Sequence, residues 1–113
     1  KSLYNFISIL KKKGMKISVY GASGKGQALM QFCEINNKLI DGAYDKSNLK
    51  KGRFTPGTNI KIHLPKYISR QNIDYMLLLS WNLRSEILKQ EIQFLRQGGK
   101  FIIPFPEPRV IKL

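Results

Sequence analysis

Three glycines in six residues, Gly21-Ala22-Ser23-Gly24-Lys25-Gly26, are the stretch of this 113-residue sequence best suited to chemistry. Between a strand and a helix, such a turn aims free backbone N–H groups and a helix N-terminus at an anion. Gly21 permits the tight turn, Gly24 close approach of a ligand, and Gly26 close packing of the helix. The spacing is GxxGxG, a departure from the GxGxxG dinucleotide fingerprint. A Walker A loop is excluded, because no glycine opens the loop at the right distance before Gly24 and Gly26 replaces the Ser or Thr that should follow Lys25. Asp45 lies roughly 20 residues beyond the turn, where a dinucleotide fold keeps its ribose-binding carboxylate. An aspartate at a strand end also caps the following turn through its own side chain. Both readings stand at this point.

Other reactive side chains are few. Cys33 is the only cysteine, which excludes a disulfide framework and a Cys-rich zinc site within this chain. Set among Leu29, Met30 and Phe32 in a helical stretch, it reads as a buried structural thiol rather than a nucleophile. His63 stands alone with no metal partners flanking it, and reads as a surface histidine.

The elements that must position these groups follow from periodicity. Leu3, Phe6, Ile7 and Leu10 recur at helical spacing, and Gly14 follows Lys11-Lys12-Lys13 as a stop. Residues 16–20 are a strand entering the glycine turn, and Ala28, Leu29, Phe32 and Cys33 mark the helix after it. A second strand spans residues 39–44. The loop over residues 46–59 is long and carries Gly52, Pro56 and Gly57, the profile of a functional loop. Residues 60–63 form a short edge strand, and Pro65 opens a brief helix at its first position. Residues 74–79 read as a fully buried strand, being continuously apolar in the manner of central parallel strands. A long helix carries Leu83, Ile87, Ile92 and Leu95 up to Gly98-Gly99, and residues 101–103 are the last strand. Pro104, Pro106 and Pro108 stiffen the tail.

Alternating strands and helices predict an α/β fold, a three-layer Rossmann-like doubly wound parallel sheet of order 3-2-1-4-5. Ligands bind such sheets beyond the carboxyl ends of the strands, at the switch point. The Gly21 turn, Asp45, the Ser80-Trp81-Asn82 corner and the tail from Pro104 to Arg109 all fall on that edge.

The length suits a single domain over residues 1–113. Hydrophobic residues at 42% exclude a disordered or fibrous chain. The net charge of +13 raises the possibility of nucleic acid as a partner. Against it, 15 of the 20 cations are Lys rather than the bidentate Arg, and they are scattered. An anionic small molecule suits the same field. No apolar run approaches the ~20 residues of a membrane span. The positive cluster ends the first segment rather than beginning it, which is wrong for a signal peptide. A reducing cytoplasm is the expected compartment.

Four segments taken together resemble one family. They are Tyr20-Gly21-Ala22-Ser23-Gly24-Lys25-Gly26; Asp45-Lys46-Ser47-Asn48 with Lys51-Gly52-Arg53-Phe54-Thr55-Pro56-Gly57-Thr58; Leu77-Leu78-Leu79-Ser80-Trp81-Asn82; and Gly98-Gly99-Lys100-Phe101-Ile102-Ile103-Pro104 continuing to Pro106-Glu107-Pro108-Arg109. This pattern is similar to the C-terminal domain of S-adenosylmethionine-dependent C-methyltransferases that act on nucleotide-linked sugars. It departs from the family at Gln27, where an Asn is more usual, although the amide is kept.

The resemblance implies a substrate-binding and interdomain module, with no catalytic residue and no cofactor of its own. S-adenosylmethionine and zinc then belong to N-terminal domains absent from this sequence, and the isolated chain is expected to be inactive. Its partners would be a nucleotide-linked sugar, or a similar anionic small molecule, and the methyltransferase domain of the same protein. The substrate-binding residues expected are Gly21, Ser23, Gly24, Lys25, Gly26, Asp45, Arg53, Thr55, Thr58, Trp81, Asn82 and Arg109. Among them Lys25 is a phosphate cation at a helix start. Arg53, Thr55 and Thr58 offer donors from the long loop, Trp81 and Asn82 a ring face and a polar edge, and Arg109 a cation stiffened by prolines. Two other classes remain as rivals, an NAD(P)-binding module of an oxidoreductase or sensor and a basic nucleic-acid-binding protein.

Overall fold

The computed structural model describes residues 2–113, apart from the side chain of Arg70. Helix α1, Ser2–Lys12, buries Leu3, Ile7 and Leu10 along one stripe, the spacing of an amphipathic helix laid on a core. Lys11 and Lys12 occupy its last turn, where cations favour the negative end of the helix dipole. Lys11 also reaches Asp41, with Nζ 3.0 Å from a carboxylate oxygen. Strand β1, Ile17–Tyr20, then runs into the glycine turn and helix α2, Gly24–Phe32. Two short strands follow, β2, Ala43–Tyr44, and β3, Ile62–His63. A 3-10 helix, Pro65–Arg70, leads to strand β4, Tyr75–Leu78. After a 3-10 turn at Trp81–Leu83 come helices α3, Arg84–Gln90, and α4, Ile92–Arg96. Strands β5, Lys100–Ile103, and β6, Arg109–Ile111, end the chain.

These six strands form one sheet in the order β3-β2-β1-β4-β5-β6. Pairing is parallel throughout, except for the antiparallel β5–β6 edge. The mixed α/β fold and the order 3-2-1-4-5 are those the sequence predicts, extended by a sixth strand. The chain leaves β1 toward β2 and β3, then returns to place β4 on the other side of β1. The switch point therefore lies between the ends of β1 and β4.

Period-two alternation sorts the sheet into two cores. Ile17, Val19, Ala43, Ile62, Leu77 and Ile102 face α1 and α2, where they meet Ile7, Leu10 and Met30. Tyr20, Tyr44, Met76, Leu78, Phe101 and Ile103 face the other way, onto Ile68, Ile87, Phe94 and Leu95. Each fully buried Ile, Leu or Met side chain contributes roughly 1.5–3 kcal/mol.

Three details differ from the prediction. Strand β2 is confined to residues 43–44, because Asn36 turns the chain first. Its side-chain Oδ1 accepts from the Lys38 N–H at 3.0 Å, and its carbonyl accepts from Leu39 and Ile40. The long helix divides at Glu91, whose backbone (φ −103, ψ 31) leaves helical values while its side chain turns in toward Tyr20. The proline tail doubles back, and Ile103 pairs with Arg109 across an antiparallel register.

Candidate functional site

The carboxyl ends of β1, β2 and β4 meet at a recess of about 170 Å³ on the α3 side of the sheet. Tyr20 and Gly21 from β1, Asp45 and Lys46 from β2, and Ser80 from β4 line one side of it. Glu86 and Gln90 of α3, four residues apart and so on one helix face, line the other.

Gly21 is required here for two reasons. Its φ is +101, and an added Cβ would stand 2.6 Å from Ser80 Oγ. Its N–H donates to the Tyr44 carbonyl at 2.7 Å, which fixes where the turn leaves the sheet. Ser23 Oγ accepts from the Gly26 N–H at 3.3 Å and caps α2. Gly26 is buried, with Leu79 Cβ only 2.8 Å from where a side chain would begin, so this glycine brings helix and sheet together. Gly24 and Lys25 stay exposed in the first turn, where backbone N–H groups have no partner within the helix.

Asp45 is tied into the fold through both carboxylate oxygens. Oδ2 accepts from the Ala22 N–H and Oδ1 from the Ser47 N–H, each at 2.8 Å. Lys50 Nζ stands 3.8 Å away, so the carboxylate clamps the glycine turn to the start of the long loop. A ribose-binding aspartate would instead present its oxygens to the ligand. The geometry is that of a strand-end cap.

The long loop turns its hydroxyls inward. Thr55 and Thr58 are 2% and 1% exposed and hydrogen-bond to each other. Thr58 Oγ1 donates to Gln27 Oε1, and Thr55 Oγ1 accepts from the Ile60 N–H at 2.9 Å. Gln27 Nε2 is the enclosed side-chain atom left without a partner among the described residues. Arg53 and Asn82 are exposed, and Arg109 is exposed at the head of β6. Trp81 is half-buried and stacks on Phe105, with centroids 6.1 Å apart and planes at 29°.

Of the residues singled out in the sequence, Gly21 and Asp45 line the recess together. Ser23, Gly24, Lys25 and Gly26 form the helix start on the opposite face of the sheet. Trp81, Asn82 and Arg109 stand farther along the same carboxyl edge, at the ends of β4 and β5. Sequence reasoning missed Tyr20, Lys46, Glu86 and Gln90. The i, i+4 spacing of Glu86 and Gln90 beside the predicted switch point was the available signal. Tyr20 Oη donates to Glu91 Oε2 at 2.7 Å. Burial, and then the bond to Glu91 with its charge, push the Tyr20 phenol well above its ordinary value, so it keeps its proton.

The chain matches the family described as the C-methyltransferase C-terminal domain over residues 1–106. It belongs to that family. It is also 43% identical over 98 residues to the C-methyltransferase NovU of Streptomyces niveus. That match takes in 87% of this chain and 23% of the relative. The C-methyltransferase C-terminal domain thus corresponds to less than a quarter of the protein it resembles. Among the described residues, no helix of this domain is long and apolar enough to cross a membrane.

Proposed function

We propose that this C-methyltransferase C-terminal domain forms the substrate side of the enzyme's cleft and holds a nucleotide-linked sugar while another domain transfers the methyl group. The observation that carries this reading is the switch-point edge, where an open helix start bearing exposed Lys25 lies on one face of the sheet and a recess lined by Asp45, Lys46 and Ser80 on the other. Unpaired N–H groups at a helix start, with a cation beside them, attract a diphosphate. Glu86 and Gln90 supply a carboxylate and an amide for sugar hydroxyls. The Trp81–Phe105 stack and exposed Arg109, on the same edge, offer an apolar and cationic face to the methyltransferase domain.

S-adenosylmethionine is the methyl donor in this proposal and is held elsewhere in the protein. The fit supports that division, because Asp45, the carboxylate placed to meet an adenosine ribose, is already bound to two backbone N–H groups. No residue of this domain is given the catalytic role. A reducing, cytoplasmic setting belongs to the same proposal, with Cys33 a free thiol.

The test is a titration of the isotope-labelled chain with dTDP, followed by amide NMR. Shifts are expected at residues 23–27 and 45–51, and Lys25→Ala should weaken binding about 5- to 10-fold, the loss of one charge-assisted contact. Unmoved amides, or micromolar S-adenosylmethionine binding by calorimetry, would overturn the reading.

A further inference from the structure

The sheet has two edges, and the chain treats them differently. At β3 the long loop folds back along the outer side. There the Ile62 N–H donates to the Arg53 carbonyl and the Gly52 N–H donates to the Ile62 carbonyl, each at 2.8 Å. Phe54 and Lys61 add an antiparallel bridge, so that edge is closed by the chain's own backbone. At the other end of the sheet, β6 pairs with β5 and, among the described residues, with no strand on its outer side. Backbone N–H and C=O groups alternate between the two sides of a strand, so those of β6 that point away from β5 form a bare edge.

The side chains along this edge choose its occupant. Arg109 and Val110 are exposed, Ile111 is half-buried and Lys112 is exposed, a run of cation, apolar, apolar, cation. The register pairs Ile111 with Phe101, and continued by one residue it brings Lys112 level with Lys100, whose Nζ lies 5.5 Å from the centre of the Tyr75 ring. Like charges side by side destabilise a ladder, and none of Lys100, Arg109 and Lys112 has an ion pair among the described residues. A strand laid beside β6 sets its side chains next to those of β6 on the same face. Arg109 and Lys112 then call for carboxylates, and Val110 and Ile111 for branched apolar groups. A second copy of this strand would bring its own Arg109 and Lys112 to the same short ladder, where cations repel cations. The net charge of +13 attracts acidic partners in the same sense. The segment matched to the family ends at residue 106, before β6 begins, so this edge lies outside what the family has in common.

We propose that the β6 edge docks an extended acidic segment of a separate protein, added to the sheet as a further strand with the pattern acidic, apolar, apolar, acidic. This goes beyond the nucleotide-sugar reading and stands or falls independently of it. The test titrates the labelled 113-residue chain with acetyl-Thr-Glu-Val-Val-Glu-Thr-amide and follows the amides by NMR. One control peptide carries Lys in place of Glu. A second carries Pro in place of Val, which keeps the charge but removes the donors of the ladder. The acidic peptide should shift the amides of Arg109, Val110, Ile111 and Lys112 saturably at about millimolar concentration, while residues 23–27 stay unmoved. Lys112→Glu should weaken it about 3- to 5-fold, the loss of one exposed ion pair. Arg109→Glu with Lys112→Glu should exchange the acidic peptide for the lysine one, with a melting temperature close to that of the parent because both side chains are exposed. Should the double variant fold poorly, Lys112→Glu decides alone. The proposal is overturned if the acidic peptide leaves these amides unmoved up to about 50 mM, far beyond millimolar affinity. It is equally overturned if the proline or lysine peptide binds as well as the acidic one, or if Lys112→Glu binds the acidic peptide as the parent does. Concentration-dependent shifts of the same amides without peptide would make a second copy the occupant. Failure of the peptide to bind the enzyme that carries this domain would show the edge covered from within that enzyme. Either result would overturn a separate partner.

Discussion

Tyr20 joins the end of β1 to the break between α3 and α4 by donating to Glu91, and this makes its ionisation a matter of stability. Its pKa is raised in the folded protein above the ordinary 10.0. The folded state therefore keeps a proton that the unfolded chain loses first. The resulting stabilisation is complete below pH 10 and is lost as pH rises beyond it. Tyr20→Phe should cost about 1 kcal/mol at neutral pH through the lost hydrogen bond, and should show a shallower decline above pH 10 in urea titrations. An equally steep alkaline decline in the variant would refute this role. Gly21→Ala meets both an unfavourable φ of +101 and Ser80 Oγ, and should destabilise by about 1–3 kcal/mol in the same assay. The need for a glycine at position 21 was legible from sequence, because a strand entering a helix requires a tight turn. Which of its neighbours would use up the Ala22 N–H was not, since Asp45 serves equally well as cap or ligand group until its side chain is placed.

The loop over residues 46–59 is fastened to α2 and to the turn that follows it. Gln31 Nε2 donates to the Pro56 carbonyl at 3.3 Å, the Asn37 N–H donates to the Thr58 carbonyl at 3.0 Å, and Thr58 Oγ1 donates to buried Gln27. Thr58→Val keeps the shape but strands Gln27 Oε1, and should cost about 1–3 kcal/mol. Hydrogen exchange should then quicken at Thr55, Asn59 and Ile60 while β1 and β4 stay protected. Uniform acceleration across the sheet would mean that the loop is not a separable unit. The loop itself was visible in the sequence through Gly52, Pro56 and Gly57. The inward aim of Thr55 and Thr58 was not, since a threonine on a polar loop carries no mark of which way it faces. Similar reasons explain the other differences. Asn36 shortened β2 by a side-chain turn that period-two counting ignores. Three prolines hid β6, which tolerates them because they lie in the connection and not in the ladder.

Across the whole molecule the net charge of +13 is spread over several faces, and part of it is consumed internally, as where Lys11 meets Asp41 and Lys50 meets Asp45. Duplex DNA should therefore bind only weakly at physiological salt. A groove-tracking protein would instead lose about 0.9 log units of affinity per phosphate contact for each tenfold rise in salt. Submicromolar binding with a steep slope in fluorescence anisotropy would contradict this. The strand order has a further consequence, for the time the chain needs to reach its native state. The central strand β1 finds its partner β4 only across a long stretch of sequence, the Lys16 N–H meeting Asp74 Oδ2 at 2.8 Å over 58 residues. Closing so long a loop costs entropy before any contact returns it, and folding rates fall as contacts become less local. During synthesis the middle of the sheet stays open until β4 has emerged. Until then, the edge of β1 that pairs with β4 keeps its backbone N–H and C=O groups without their strand partners.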